Sequence, residues 1–110
     1  MAKHAIPKRF LDFTARYPDV ADAYERLGKK IHGAGPLSER ERALVKLAIS
    51  IGDRLEGGTH SHARKALAAG VSKEDLRHVA LLAMQTIGFP SSMAAMSWID
   101  DVVTGKKKKR

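Results

Sequence analysis

The densest run of chemically able side chains is Glu56-Gly57-Gly58-Thr59-His60-Ser61-His62, a carboxylate, two imidazoles and two hydroxyls around a pair of glycines. Imidazoles titrate near neutrality and carboxylates a few units lower, so such a run suits general acid–base chemistry. His62 and Glu56 are the leading catalytic candidates, the carboxylate orienting or deprotonating the ring, with His60 as a third. The chain has no Cys, which excludes thiolate nucleophiles, thiolate metal ligands and disulfides. Metal chelation by the two histidines is disfavoured on geometry. An H-x-H pair shares one face of a strand, but on a helix, at about 100° per residue, the two rings diverge. The stripe of Thr59, Ala63, Ala66, Leu67 and Gly70 falls between them, so His60 and His62 flank it on opposite sides. No metal or organic cofactor is called for.

The elements that must position these groups all read as helices. Pro7 to Arg16 carries Phe10 and Phe13 three apart, a short arm. A helix follows from Pro18 to about Ile31, with Asp19 and Asp22 at its positive end and Lys29 and Lys30 at the other. Ser38 with Glu41 forms a capping box for a helix from about Glu39 to Asp53, apolar nearly all round beyond Ala43. Gly57 and Gly58 then break the chain, and Thr59 is placed to cap a helix ending at Ala69, with Gly70 as its left-handed terminator. Ser72 with Asp75 opens a helix to Ile87, Gly88-Phe89-Pro90 punctuates, and a last helix runs from about Ser91 to Val103. With no alternating strand pattern, the fold class is all-α, a single domain of five to six helices over residues 1–105. His78 reads as a surface or inter-helix group. Trp98 reads as a core or interface anchor and Met84, Met93 and Met96 as gap-fillers.

Composition narrows the possible functions. The net charge is +8, but five of the positive charges are the terminal Lys106-Lys107-Lys108-Lys109-Arg110; residues 1–105 carry 15 Lys and Arg against 12 Asp and Glu. A body of mixed sign is a solvated surface, so nucleic acid is not the expected partner, and residues 106–110 read as a disordered basic tail. No apolar run resembles a signal peptide or approaches the roughly 20 residues of a membrane span, and the cytoplasm is the expected location. A chain of 110 residues with two helices apolar nearly all round cannot shield both by itself, which makes a second copy of the chain the expected partner.

The run Leu37-Ser38-Glu39-Arg40-Glu41-Arg42-Ala43-Leu44-Val45-Lys46-Leu47-Ala48, the glycine break, and then His62-Ala63-Arg64-Lys65-Ala66-Leu67-Ala68-Ala69-Gly70-Val71-Ser72-Lys73-Glu74 resemble the carboxymuconolactone decarboxylase family, which includes the alkylhydroperoxidase D-like proteins. The resemblance extends over about Leu37 to Val103. Its most specific part is a His followed eight residues later by Gly, then a Ser-capped acidic helix start. It implies an all-helical, alkylhydroperoxidase D-like fold, assembly as a homotrimer or homohexamer, and sites between helices near subunit contacts. The peroxidase-like branch uses C-x-x-C-x-x-x-H with an upstream Glu. With His62 as its histidine, the cysteines fall at Leu55 and Gly58 and the Glu at Ala43, so peroxide reduction by that thiol route is excluded. The decarboxylase-like branch places a Glu four residues before the histidine. Here that position is Gly58 and the nearest carboxylate is Glu56. The implied activity is cofactor-free proton transfer, a decarboxylation or isomerisation of a small carboxylated or lactone compound. A non-catalytic assembly or small-ligand-binding module of the same family is the alternative.

Overall fold

Ser38 begins the part of the chain that carries the candidate residues, and it does so with both halves of a capping box. The Ser38 hydroxyl accepts from the Glu41 N–H at 3.1 Å, and the Glu41 carboxylate accepts from the Ser38 N–H at 2.8 Å. These hydrogen bonds hold Glu41 below the usual carboxylate range. The computed structural model describes residues 6–105; the basic run 106–110 lies outside the described residues. Two compact units are present, Ala5–Leu37 and a second beginning at Ser38.

The first unit holds α1 (Lys8–Arg16) and α2 (Pro18–His32). Pro18 sits in the first turn of α2, where its missing N–H costs nothing. The rings of Phe13 and Tyr17 meet at the join, with centroids 5.7 Å apart. Neither helix has a buried residue. Val20, Tyr24, Leu27 and Ile31, spaced at alternate fours and threes along α2, are all more than half exposed.

The second unit contains α3 (Glu39–Gly52), α4 (Glu56–Ala68), α5 (Lys73–Leu82), the single turn α6 (Met84–Ile87) and α7 (Phe89–Thr104). No strand occurs among the described residues, as the sequence requires. Ser72 caps α5 by accepting from the Asp75 N–H at 3.0 Å, and Gly70 turns the chain between α4 and α5 with φ +93°. α4 lies against α3 and α7, and α7 also lies against α5. The core is Leu47 and Ile51 of α3, Ala63 and Ala66 of α4, Val71, Leu76 and Ala80 around α5, and Ala95, Ile99 and Val102 of α7. Trp98 and Met96 pack beside it.

Three boundaries differ from the sequence reading, and one of them matters for chemistry. α4 begins at Glu56, not at Thr59, and the Thr59 N–H donates to the Leu55 carbonyl at 2.9 Å. The two glycines therefore occupy the first helical turn. Glycine in a helix costs about 0.5–1 kcal/mol relative to Ala, but at position 58 a side chain would be worse. A Cβ there would stand 3.2 Å from both the Leu55 Cβ and the Ser50 Oγ, so the close approach of α4 to α3 depends on its absence. The single helix read from Ser72 to Ile87 is interrupted at Ala83, and α7 starts at Phe89 with Pro90 in its first turn. On α3 only Leu47, Ser50 and Ile51 are buried, while Val45 and Ile49 remain 44% and 64% exposed. No helix among the described residues is long and apolar enough to cross a membrane.

Two buried hydroxyls behave differently. The Ser92 hydroxyl donates to the Ala80 carbonyl at 2.6 Å, tying α7 to α5. The Thr59 hydroxyl is fully buried in the seam of α4 and has no hydrogen-bond partner among the described residues. Burying a hydroxyl without a partner is costly, and its isosteric replacement by a methyl group removes that cost. Thr59→Val is expected to raise unfolding stability by about 1 kcal/mol, and Ser92→Ala to lower it by about as much. Urea titration of the two variants checks both signs, and a Thr59→Val protein weaker than wild type would contradict the unsatisfied hydroxyl.

Candidate acid–base site

With α4 starting at Glu56, the geometry of its functional side chains follows from about 100° per residue. Thr59, Ala63 and Ala66 form the buried seam. Glu56 and His60, one turn apart, fall on one flank of it; Gly58 and His62, also one turn apart, fall on the other. The first flank meets α7 and the second meets α3. The placement of His60 and His62 on opposite sides of the stripe is thus retained, and the seam of side chains between them is buried.

On the α7 flank, His60 Nε2 lies 3.1 Å from Asp101 Oδ2, with side-chain exposures of 21% and 14%. Glu56 completes the group: one ligating atom from each of Glu56, His60 and Asp101 lies within 4.8 Å of the others. Glu56 is exposed, so the cluster opens to solvent at that end. When His60 Nε2 carries the proton and donates it to Asp101, Nδ1 holds the lone pair. A carboxylate that fixes the tautomer of an imidazole in this way produces an oriented base. The second carboxylate supplies another proton acceptor a turn away. Arg64, one turn beyond His60 on the same stripe, brings a cation to this flank.

On the α3 flank, His62 is half-buried and its imidazole is held below its ordinary value of 6.5, first by burial and then by the positive charges of Lys65 and Lys46. Lys46 is itself lowered by burial, by Lys65 and by Arg42. His62 is thus an imidazole kept neutral among cations, with no carboxylate among the causes acting on it. Of the three residues read from the sequence, the structure brings Glu56 and His60 together and places His62 apart from them. His78 is exposed on α5.

Asp101 was not among the sequence candidates. The signal for it was present: on an α7 with no other charged residue, adjacent Asp100 and Asp101 straddle the stripe that packs into the core. Asp100 pairs with Arg77 of α5 at 3.2 Å and Asp101 with His60 of α4, so the two carboxylates are divided between the neighbours of α7. The pairing of Asp101 with His60 is a contact between separate helices, on which local spacing does not report.

A separate apolar groove of about 290 Å³ runs across α3, α5 and α6, lined by Leu44, Ala48, Ile51, Val79, Leu82 and Ile87 among others. None of Glu56, His60, His62 and Asp101 contributes to it.

The arrangement defines an all-helical domain with an oriented imidazole between two carboxylates and no thiol. The sequence model of the carboxymuconolactone decarboxylase family matches residues 18–101, from the start of α2 almost to the end of α7. The chain belongs to that family. No curated protein and no solved structure matches it. The family match includes Glu56, His60, His62 and Asp101, while the family's redox cysteines are absent.

The depressed His62 fixes the sign of one pH effect. Above 6.5 its ring is neutral in folded and unfolded chains alike and contributes nothing; below 6.5 the unfolded chain takes up a proton that the folded one resists, so stability falls as pH falls. Replacing His62 with Gln is expected to flatten the decline in urea midpoint between about pH 7.5 and pH 5. An unchanged slope would show that His62 titrates alike in both states.

Proposed function

We propose that this protein is a cofactor-free acid–base catalyst, a lyase or isomerase that moves a proton on a small carboxylated or lactone compound. The observation that carries this reading is the part-buried contact between His60 and Asp101 with the Glu56 carboxylate beside it. His60 Nδ1 takes a proton from the carbon next to the substrate carbonyl. Asp101 holds the ring in the productive tautomer and stabilises the imidazolium that forms. The His60 imidazolium returns that proton to another carbon of the delocalised enolate, with the Glu56 carboxylate beside it stabilising the cation, and Arg64 holds the substrate carboxylate. An enolate is the common intermediate of isomerisation and of carbon dioxide loss from a β-keto acid, so one set of groups serves either outcome. Family membership supports the chemistry at this level, and the absent cysteines remove the competing redox route.

The working form is a homo-oligomer, a trimer or hexamer as the family resemblance implies. Support comes from each unit taken by itself. Ile49, Leu81 and Leu82 lie about half or more exposed around α3 and α5, and α2 carries its uncovered row of Val20, Tyr24, Leu27 and Ile31. Apolar surface of that extent is stabilised by association.

Exchange of carbon-bound hydrogen for deuterium, followed by NMR across a panel of small carboxylated lactones and oxo acids, tests the catalytic reading without knowledge of the pathway. His60→Gln is expected to lose about 100-fold or more of the exchange rate, Asp101→Asn a comparable amount, and His62→Gln less than about 10-fold. A His60→Gln protein as active as wild type on a turned-over compound would transfer the role elsewhere. For assembly, sedimentation velocity at about 10 µM is expected to give a particle larger than a monomer, and Ile49→Glu with Leu82→Glu to reduce it. A folded wild-type monomer at that concentration would end the oligomer reading.

A further inference from the structure

The same cluster has the composition and spacing of a metal site. We propose that Glu56, His60 and Asp101 bind a divalent transition ion of zinc type, and that the ion replaces the proton shared by His60 and Asp101.

The argument begins with ligand type. One imidazole nitrogen and two carboxylate oxygens form a mixed donor set that suits zinc, which takes His and Asp or Glu in catalytic sites and keeps a further position for water. Magnesium and calcium prefer oxygen donors alone, so the imidazole selects against them. Glu56 and His60 stand one turn apart on α4, the spacing at which two side chains of one helix reach a common point. This is the geometry that the His60–His62 pair lacks. Asp101 supplies the third donor from a different helix, so the site does not depend on the local flexibility of a single segment.

Distances agree with that assignment. Zinc holds nitrogen and oxygen at about 2.0–2.2 Å, so adjacent donors on one ion lie roughly 3.0–3.5 Å apart and no two can exceed about 4.4 Å. His60 Nε2 and Asp101 Oδ2, at 3.1 Å, already stand at the edge length of a coordination polyhedron. The whole triad lies within 4.8 Å. Closing the triad from that limit to a coordination edge requires a shift of roughly 1.3–1.8 Å, which the exposed Glu56 makes by torsion of its long side chain. Two carboxylates and an imidazole together form a donor set whose negative charge suits a dication. Exposure of Glu56 provides the way in.

Zinc on Nε2 leaves the neutral ring's one proton on Nδ1, which then has no lone pair for a substrate proton, so occupancy would switch off the chemistry assigned above to His60. That consequence rests on the proton-transfer reading; the metal site itself does not. Equilibrium dialysis of the full-length protein against zinc, and visible absorption of the cobalt(II) form, separate the two. Wild type is expected to bind one ion per chain, with thermal midpoint raised and intense cobalt bands of a low-coordinate nitrogen–oxygen site. His60→Gln and Asp101→Asn are each expected to weaken binding by more than about 10-fold. The exposed Glu56→Gln, whose folding is not at risk, is expected to do the same, and His62→Gln to bind as wild type does. Absence of stoichiometric zinc at about 100 µM, or retention of full affinity by both His60→Gln and Glu56→Gln, overturns the site. Zinc bound by the triad with turnover unaffected supports the site and refutes the role of His60 in proton transfer.

Discussion

The close contact of α4 with α3 sets the angular position of every group that can do chemistry here. Gly58 permits it by presenting no side chain to Ser50 and Leu55, and the small residues Ala63 and Ala66 continue it along the seam. Once that seam is buried, the periodicity of the helix leaves no freedom for its flanks. Glu56 and His60 must face α7, and His62 must face the lysines on the α3 side. Small residues recur at the helix contacts, with Ala80 on α5 and Ala95 on α7 both fully buried. A core with few aromatics is thereby built from Ala and aliphatic side chains.

Much of this was legible in the sequence. Both Ser caps, the glycine turn at position 70 and the all-helical class rest on local rules that need only a few adjacent residues, and all of them hold in the structure. The start of α4 was not legible, because a Gly-Gly pair reads as a break when propensity alone is counted. What places the pair inside a helix is a tertiary contact with Ser50, six positions before the helix begins. Thr59 was the natural cap by type, yet it is buried inside the helix, and the N-cap position falls to Leu55, which makes no side-chain cap hydrogen bond. That one boundary hid the pairing of Glu56 with His60. Asp101 was hidden for a different reason: its partner lies 41 residues away in sequence, and no periodicity reports on contacts of that kind.

The polar groups of the second unit are sorted by environment. Ion pairs at its surface, such as Arg77 with Asp100, contribute little to stability because water and salt screen them. The His60–Asp101 pair is largely withdrawn from solvent, so the energy of its hydrogen bond depends strongly on whether both partners are present. His62 occupies the opposite situation, where burial and neighbouring cations agree in keeping it uncharged. Two imidazoles separated by one residue thus have opposite electrostatic surroundings, which a single helix can provide only because its flanks face different neighbours.

Because both rings are fixed to one rigid rod, they cannot be adjusted separately by moving that rod. One rod of 13 residues thus carries an acidic edge and a basic edge at once, and a substitution that shortens or lengthens it by a residue would rotate both rings out of their neighbourhoods together.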